Sequence, residues 1–82
     1  MIYIVKLRGH RPVKIGETDN VEKRMSNLQT SSPFQVDLLG LMPGSTSTEK
    51  QLHNKYQSYN VRGEWFNLPD HELESLLELA IL

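Results

Sequence analysis

Ile2-Tyr3-Ile4-Val5-Lys6-Leu7 is rich in β-branched and aromatic side chains and predicts a strand. Gly9-His10-Arg11-Pro12 carries turn chemistry, and Val13-Lys14-Ile15-Gly16 follows as a second short strand. The two are expected to pair as an antiparallel hairpin. Asp19 or Asn20 can cap a helix through Gln29, which places Val21, Met25 and Leu28 on one face; Ser31-Ser32-Pro33 ends it. Phe34 to Met42 contains a third apolar run and predicts the third strand, with Pro43-Gly44-Ser45 as the next turn. Thr46 and Glu49 have capping-box spacing, so a second helix is expected from there to about Tyr59. Asn60 to Gly63 reads as a loop and Glu64 to Asn67 as an extended segment. Pro69 suits the first turn of a last helix, with Asp70, Glu72 and Glu74 near its positive end and Leu73, Leu76, Leu77 and Ala80 as its buried stripe. The order ββαβα, then an extended piece and a helix, predicts a small α+β domain.

Length changes the picture by limiting the core. A chain of 82 residues makes one domain and buries only about 60–65% of its unfolded surface. The longest apolar run, Met1 to Val5, is far short of the roughly 20 residues of a membrane span. No basic flank, apolar stretch and small-residue cleavage site mark a signal peptide, so no membrane partner and a cytoplasmic location are expected. The absence of cysteine excludes disulfides, thiolate metal sites and a cysteine nucleophile. Charge is unevenly distributed: residues 1–30 carry +3, residues 31–62 carry +1 and residues 63–82 carry −5. The near-neutral total therefore hides a mildly basic body, suited to phosphate contacts, joined to an acidic tail.

Helical spacing brings Glu49, Leu52, His53 and Tyr56 to one side of the second helix. A carboxylate and an imidazole one turn apart can share a metal ion or pass a proton; equally, Glu49 can be the capping-box acid and His53 a half-buried surface residue. Arg24 can bind a phosphate bidentately, or bond back to Asn20 one turn earlier. Tyr3 and Lys14 lie in the paired strands and can point to one face. Arg8 and Arg11 flank the first turn within reach of a phosphate backbone, or are simply solvated. Trp65 and Phe66 are expected in the core rather than stacked on bases.

Taken as an ordered set, Met1-Ile2-Tyr3, Lys14-Ile15-Gly16, Thr18, Arg24 and Glu49 resemble the GIY-YIG nuclease superfamily. Val13-Lys14-Ile15-Gly16, Arg24, Leu28-Gln29-Thr30, Glu49 with Leu52-His53, and Gly63-Glu64-Trp65-Phe66 are closer still to the branch, found in phage and other microbial proteins, that has lysine in place of the second tyrosine. The resemblance spans roughly residues 1–68. It implies a three-stranded antiparallel sheet flanked by helices and metal-dependent hydrolysis of DNA, or of RNA, with one Mg²⁺ or Mn²⁺ ion. By position, Tyr3 matches the tyrosine that helps activate water, Arg24 the arginine that stabilises phosphate charge, Glu49 the metal-holding carboxylate and His53 a histidine typical of the branch.

Four positions depart from the superfamily pattern. Met1 replaces the first motif glycine and Lys14 the second tyrosine, so an ammonium stands where a hydroxyl would act. Leu28 stands where many members have histidine, and Asn67 is a loose match for a late asparagine that would touch substrate. The expected function is a small nuclease, with a protein partner supplying the targeting that an attached domain gives elsewhere in the superfamily. The alternative is a catalytically silent module of the same fold that binds nucleic acid or protein.

Overall fold

The structure, a computed structural model, describes residues 1–81. Strand β1 (Ile2–Leu7) pairs antiparallel with β2 (Val13–Glu17), placing Tyr3 opposite Gly16, Ile4 opposite Ile15 and Val5 opposite Lys14. Helix α1 (Val21–Thr30) follows, capped by Asn20, whose side chain accepts from the Lys23 N–H at 3.0 Å. Strand β3 (Val36–Met42) returns along the other side of β1. Helix α2 (Thr46–Lys55) and a 3-10 turn (Gln57–Tyr59) lead to β4 (Asn60–Arg62) and β5 (Trp65–Phe66), and α3 (Asp70–Glu78) closes the fold.

The sheet has five strands, in the order β3-β1-β2-β5-β4, and corrects the three-stranded sheet that the resemblance implies. The additional strands come from the stretch expected to be a loop and an extended segment. Gly63 adopts φ +54° and reverses the chain, so β4 and β5 form a tight hairpin that joins the open side of β2 through Val13–Phe66 and Lys14–Trp65. A turn in the left-handed region suits glycine, which has no Cβ to clash there. Strands of three and two residues are too short for an alternating pattern to register. Helix α2 also ends earlier than expected, and its cap is Ser45 rather than Thr46: the Ser45 N–H donates to Thr48 Oγ1 at 3.1 Å.

Alternation in β1 and β2 sorts side chains onto two faces. Ile2, Ile4, Val13, Ile15, Met42 and Phe66 form the core with Leu52 of α2, Tyr56 just beyond its end and Leu76 of α3. Tyr3, Val5, Lys14, Gly16 and Trp65 take the opposite face, where α1 contacts chiefly β3. Phe66 is thus in the core as expected, but Trp65 is half-buried on the other side, a correction to its expected place. The outer edges are interrupted. The pairing of β1 with β3 shifts register between Ile4 and Val5, and the Ile81 N–H donates to the Leu41 carbonyl. At the far edge, the Asn60 amide donates to the Gly63 and Trp65 carbonyls.

Candidate functional site

β5 is so short that the outer edge of β2 beyond Lys14 has no strand beside it, and the site is built at this gap. The Ile15 N–H still bonds the Glu64 carbonyl at 3.0 Å. The Ile15 carbonyl is satisfied from α2 instead, by His53 Nε2 at 2.8 Å. A carbonyl only accepts, so Nε2 carries the proton, and Nδ1 is the ring nitrogen left with a lone pair in the neutral imidazole. The ring also rests on Phe66, with centroids 5.0 Å apart. His53 is therefore locked in place by the sheet edge and the core together.

One turn earlier on α2 stands Glu49. Because Ser45 and Thr48 supply the helix cap, Glu49 is not needed as its acid, which removes the alternative reading of this residue. One ligand atom each from Glu49, His53 and Glu64 lie within 4.8 Å of one another, all on half-buried side chains. Two carboxylates and an imidazole nitrogen form a donor set that fits a divalent cation. Glu64 was not among the residues singled out from sequence, although it sits in the Gly63-Glu64-Trp65-Phe66 block. Only the hairpin that inserts β5 beside β2 brings it to α2. Its carboxylate is also held by the Lys14 ammonium at 3.1 Å.

Tyr3 approaches the same gap from the opposite face. Its ring lies against Gly16, where a Cβ would overlap the phenol, so glycine is required there by contact rather than by backbone conformation. The residue is fully buried, and its hydroxyl has no hydrogen-bond partner among the described residues. A buried, unsatisfied hydroxyl costs about 1–3 kcal/mol and calls for an explanation. Burial is the largest influence on this phenol and pushes its pKa above the ordinary value; Glu64 and, less strongly, Glu49 push the same way, while Arg24 pulls it down. Tyr3 is accordingly a neutral phenol near pH 7, able to donate or accept a hydrogen bond.

Arg24 projects from α1 with its guanidinium carbon 6.0 Å from the centre of the Tyr3 ring. It lies near the hydroxyl without completing a hydrogen bond to it, and forms no ion pair among the described residues. The alternative bond back to the Asn20 side chain is not made, since that side chain caps Lys23 instead. The structure thus brings Tyr3, Lys14, Arg24, Glu49 and His53 to one place, from two strands and two helices, and adds Glu64. Three other candidates lie apart. Arg8, beyond the far end of β1, is bound by Asp37 through two hydrogen bonds of 3.2 and 2.8 Å. Arg11 pairs with Asp70 at 3.2 Å. Asn67 follows β5 on the surface, where its backbone N–H donates to the Tyr59 carbonyl.

The profile of the T5orf172 domain matches residues 1–80. The chain belongs to the T5orf172 domain family. No curated protein and no solved structure matches it significantly. The matched T5orf172 region includes every residue of the cluster, from Tyr3 to Glu64. No helix among the described residues is long and apolar enough to cross a membrane.

Proposed function

We propose that this domain is a metal-dependent nuclease of GIY-YIG type, in the branch with Lys-Ile-Gly in place of Tyr-Ile-Gly, and that it hydrolyses phosphodiester bonds of DNA. The reading rests on one observation: the Glu49, His53 and Glu64 donors converge beside a buried Tyr3 hydroxyl that has no partner among the described residues. Such a hydroxyl is useful where a water or phosphate oxygen must be held.

Glu49 and Glu64, with Nδ1 of His53, would hold Mg²⁺ or Mn²⁺. A divalent ion there would supply Lewis-acid polarisation of the phosphate and stabilise the leaving oxygen. The protein's own groups do the remaining work. Tyr3, as a neutral phenol, orients the attacking water, whose proton passes to a phosphate oxygen as the bond to the leaving oxygen breaks. Arg24, which forms no ion pair among the described residues, and Lys14 offset the charge that grows on the phosphate oxygens. Ile15 fixes the tautomer of His53, so the lone pair faces away from the sheet edge. Arg8 and Arg11 are held by carboxylates and contribute general positive charge rather than a built phosphate site.

Glu49→Gln tests this reading because the helix cap does not depend on Glu49. The variant is expected to lose Mg²⁺- or Mn²⁺-dependent cleavage while keeping its fold and its DNA binding. The assay compares single- and double-stranded DNA and RNA, with and without metal. Wild-type protein that binds DNA but cleaves none of these substrates would replace the nuclease reading with that of a binding module. Equal cleavage by both proteins would point to a contaminant.

A further inference from the structure

Beside the cluster, on the face of the sheet that carries Tyr3 and Lys14, lies a cleft of about 290 Å³ lined by Val5, Leu7, Lys14, Leu28, Pro33 and Trp65, among others. We infer that this cleft receives an unpaired nucleobase of the strand whose phosphate lies on the cluster. The inference rests on the nuclease reading only in requiring a nucleic-acid strand there.

Lys14 makes the two places continuous. Its ammonium holds Glu64 in the cluster, lies 5.7 Å from the centre of the Trp65 ring, and borders the cleft. A phosphate beside Lys14 and Arg24 would therefore leave its attached base next to an apolar cleft with an indole wall. Aromatic side chains in such a position stack on any base, because every base has a π-face. The volume lies at the small end of the range for ligand sites, near 300 Å³, and is ample for one base. A paired base has its faces covered by neighbours and must leave the stack to enter.

The cleft is also rigid and poor in free polar groups. The Gln29 side chain clamps its far wall, donating to the Phe34 carbonyl at 3.0 Å and accepting from the Val36 N–H at 2.8 Å. Ser31 and Ser32 line the rim, but their hydroxyls already bond the Leu28 and Phe34 carbonyls. A base would be held by stacking on preformed walls, with no edge-specific hydrogen bonds from these hydroxyls. This gives the Leu28-Gln29 pair a role that the chemistry of the cluster leaves unfilled: one forms the cleft and the other fixes its shape. It also predicts tolerance of base identity and preference for single-stranded or frayed substrate.

Trp65 is the only tryptophan, so its emission reports on ligands at the two clefts it borders, this one and the one beside His10, Val61 and Arg62. The probes are an eight-nucleotide single-stranded DNA, a fully abasic strand of the same length and charge, and the corresponding duplex, all titrated without divalent metal. The single strand is expected to change Trp65 emission and to bind at least about fivefold more tightly than the abasic strand, the lower bound for one stacked base. The duplex is expected to change the emission less. By anisotropy of labelled strands, Trp65→Ala should remove most of the advantage of the intact strand over the abasic one, with Trp65→Phe restoring much of it. Equal binding of intact and abasic strands, or binding without a change in Trp65 emission, would overturn the inference. Cleavage with Mn²⁺, followed in parallel, separates the two proposals. Retained cleavage without base discrimination removes the cleft alone; base discrimination without cleavage upholds the cleft and removes the nuclease reading.

Discussion

The two faces of the sheet use neighbouring residues of the same strands in different ways. On one face Ile2, Ile4, Val13, Ile15 and Phe66 meet α2 and α3, and every one is at most 1% exposed. On the other, Tyr3 is just as buried, yet its hydroxyl has no partner among the described residues, Lys14 and Glu64 form a half-buried ion pair, and Trp65 borders an open cleft. The first face is closed by apolar contact, which is favourable wherever surface leaves water. The second carries polar groups whose partners are incomplete, an arrangement that makes sense where a ligand completes them. A domain this small can afford such a face because the other one, with α2 and α3, supplies most of the apolar burial.

Phe66 and Trp65 are adjacent in β5 but belong to different faces, and replacing each with alanine gives the strongest test of this contrast. Phe66→Ala should cost about 3–5 kcal/mol, the usual range for a buried phenylalanine. Trp65→Ala should cost less than half as much, because the ring is already partly solvated. Urea unfolding reads both, and equal losses would mean that the two faces are not distinct in energy.

Gly16→Ala comes next. The added methyl would push the Tyr3 phenol off the strand, at an overpacking cost of about 1–3 kcal/mol. Metal-dependent cleavage should fall with it, because the hydroxyl can no longer reach the gap. An alanine variant of wild-type stability would show that Tyr3 does not need to lie on the β2 backbone.

Tyr3→Phe sharpens the comparison from the other side. Phenylalanine keeps the ring and removes the buried hydroxyl that lacks a partner, so stability should rise by about 1 kcal/mol, or about 4–8 °C in melting temperature for a domain of this size. Cleavage should fall in the same variant. A gain in stability with a loss of activity is the signature expected of a functional face; destabilisation would place a partner on the hydroxyl.

The smallest effect concerns alkaline pH. Burial, then Glu64, raises the Tyr3 pKa in the folded protein, so above the ordinary tyrosine value of about 10 the unfolded chain releases this proton first. The unfolded state then binds fewer protons than the folded one, and folding stability falls as pH rises toward the folded-state pKa. Below pH 10 the contribution is fully present. Wild-type protein should therefore lose more stability than Tyr3→Phe between pH 9 and 11, as measured by denaturant midpoints at each pH.

Much of this contrast was legible in the sequence, and the rest was hidden for identifiable reasons. Strand alternation and helical spacing give β1, β2, α1 and the core stripe of α3, because each extends over several residues with one consistent period. The five spaced residues from Tyr3 to His53 were recognisable as an ordered set through resemblance. Glu64 and the open position of Trp65 were not, because both depend on a hairpin of two very short strands and on the left-handed turn at Gly63. The role of Glu49 was ambiguous for a different reason: Thr46 and Ser45 are both good caps, and only the observed Ser45–Thr48 bond decides between them.

The interrupted edges of the sheet carry a consequence for behaviour in concentrated solution. A long, regular outer strand offers a row of free amides and carbonyls to any chain able to extend alongside it, and so invites fibril growth. Here β4 has only three residues, and the Asn60 amide already occupies two nearby carbonyls. The opposite edge is disturbed by the register shift, carries the Asp37 charge and is partly covered where Ile81 bonds Leu41. Neither margin offers a clean template, so crowding should favour dispersed molecules over stacked ones.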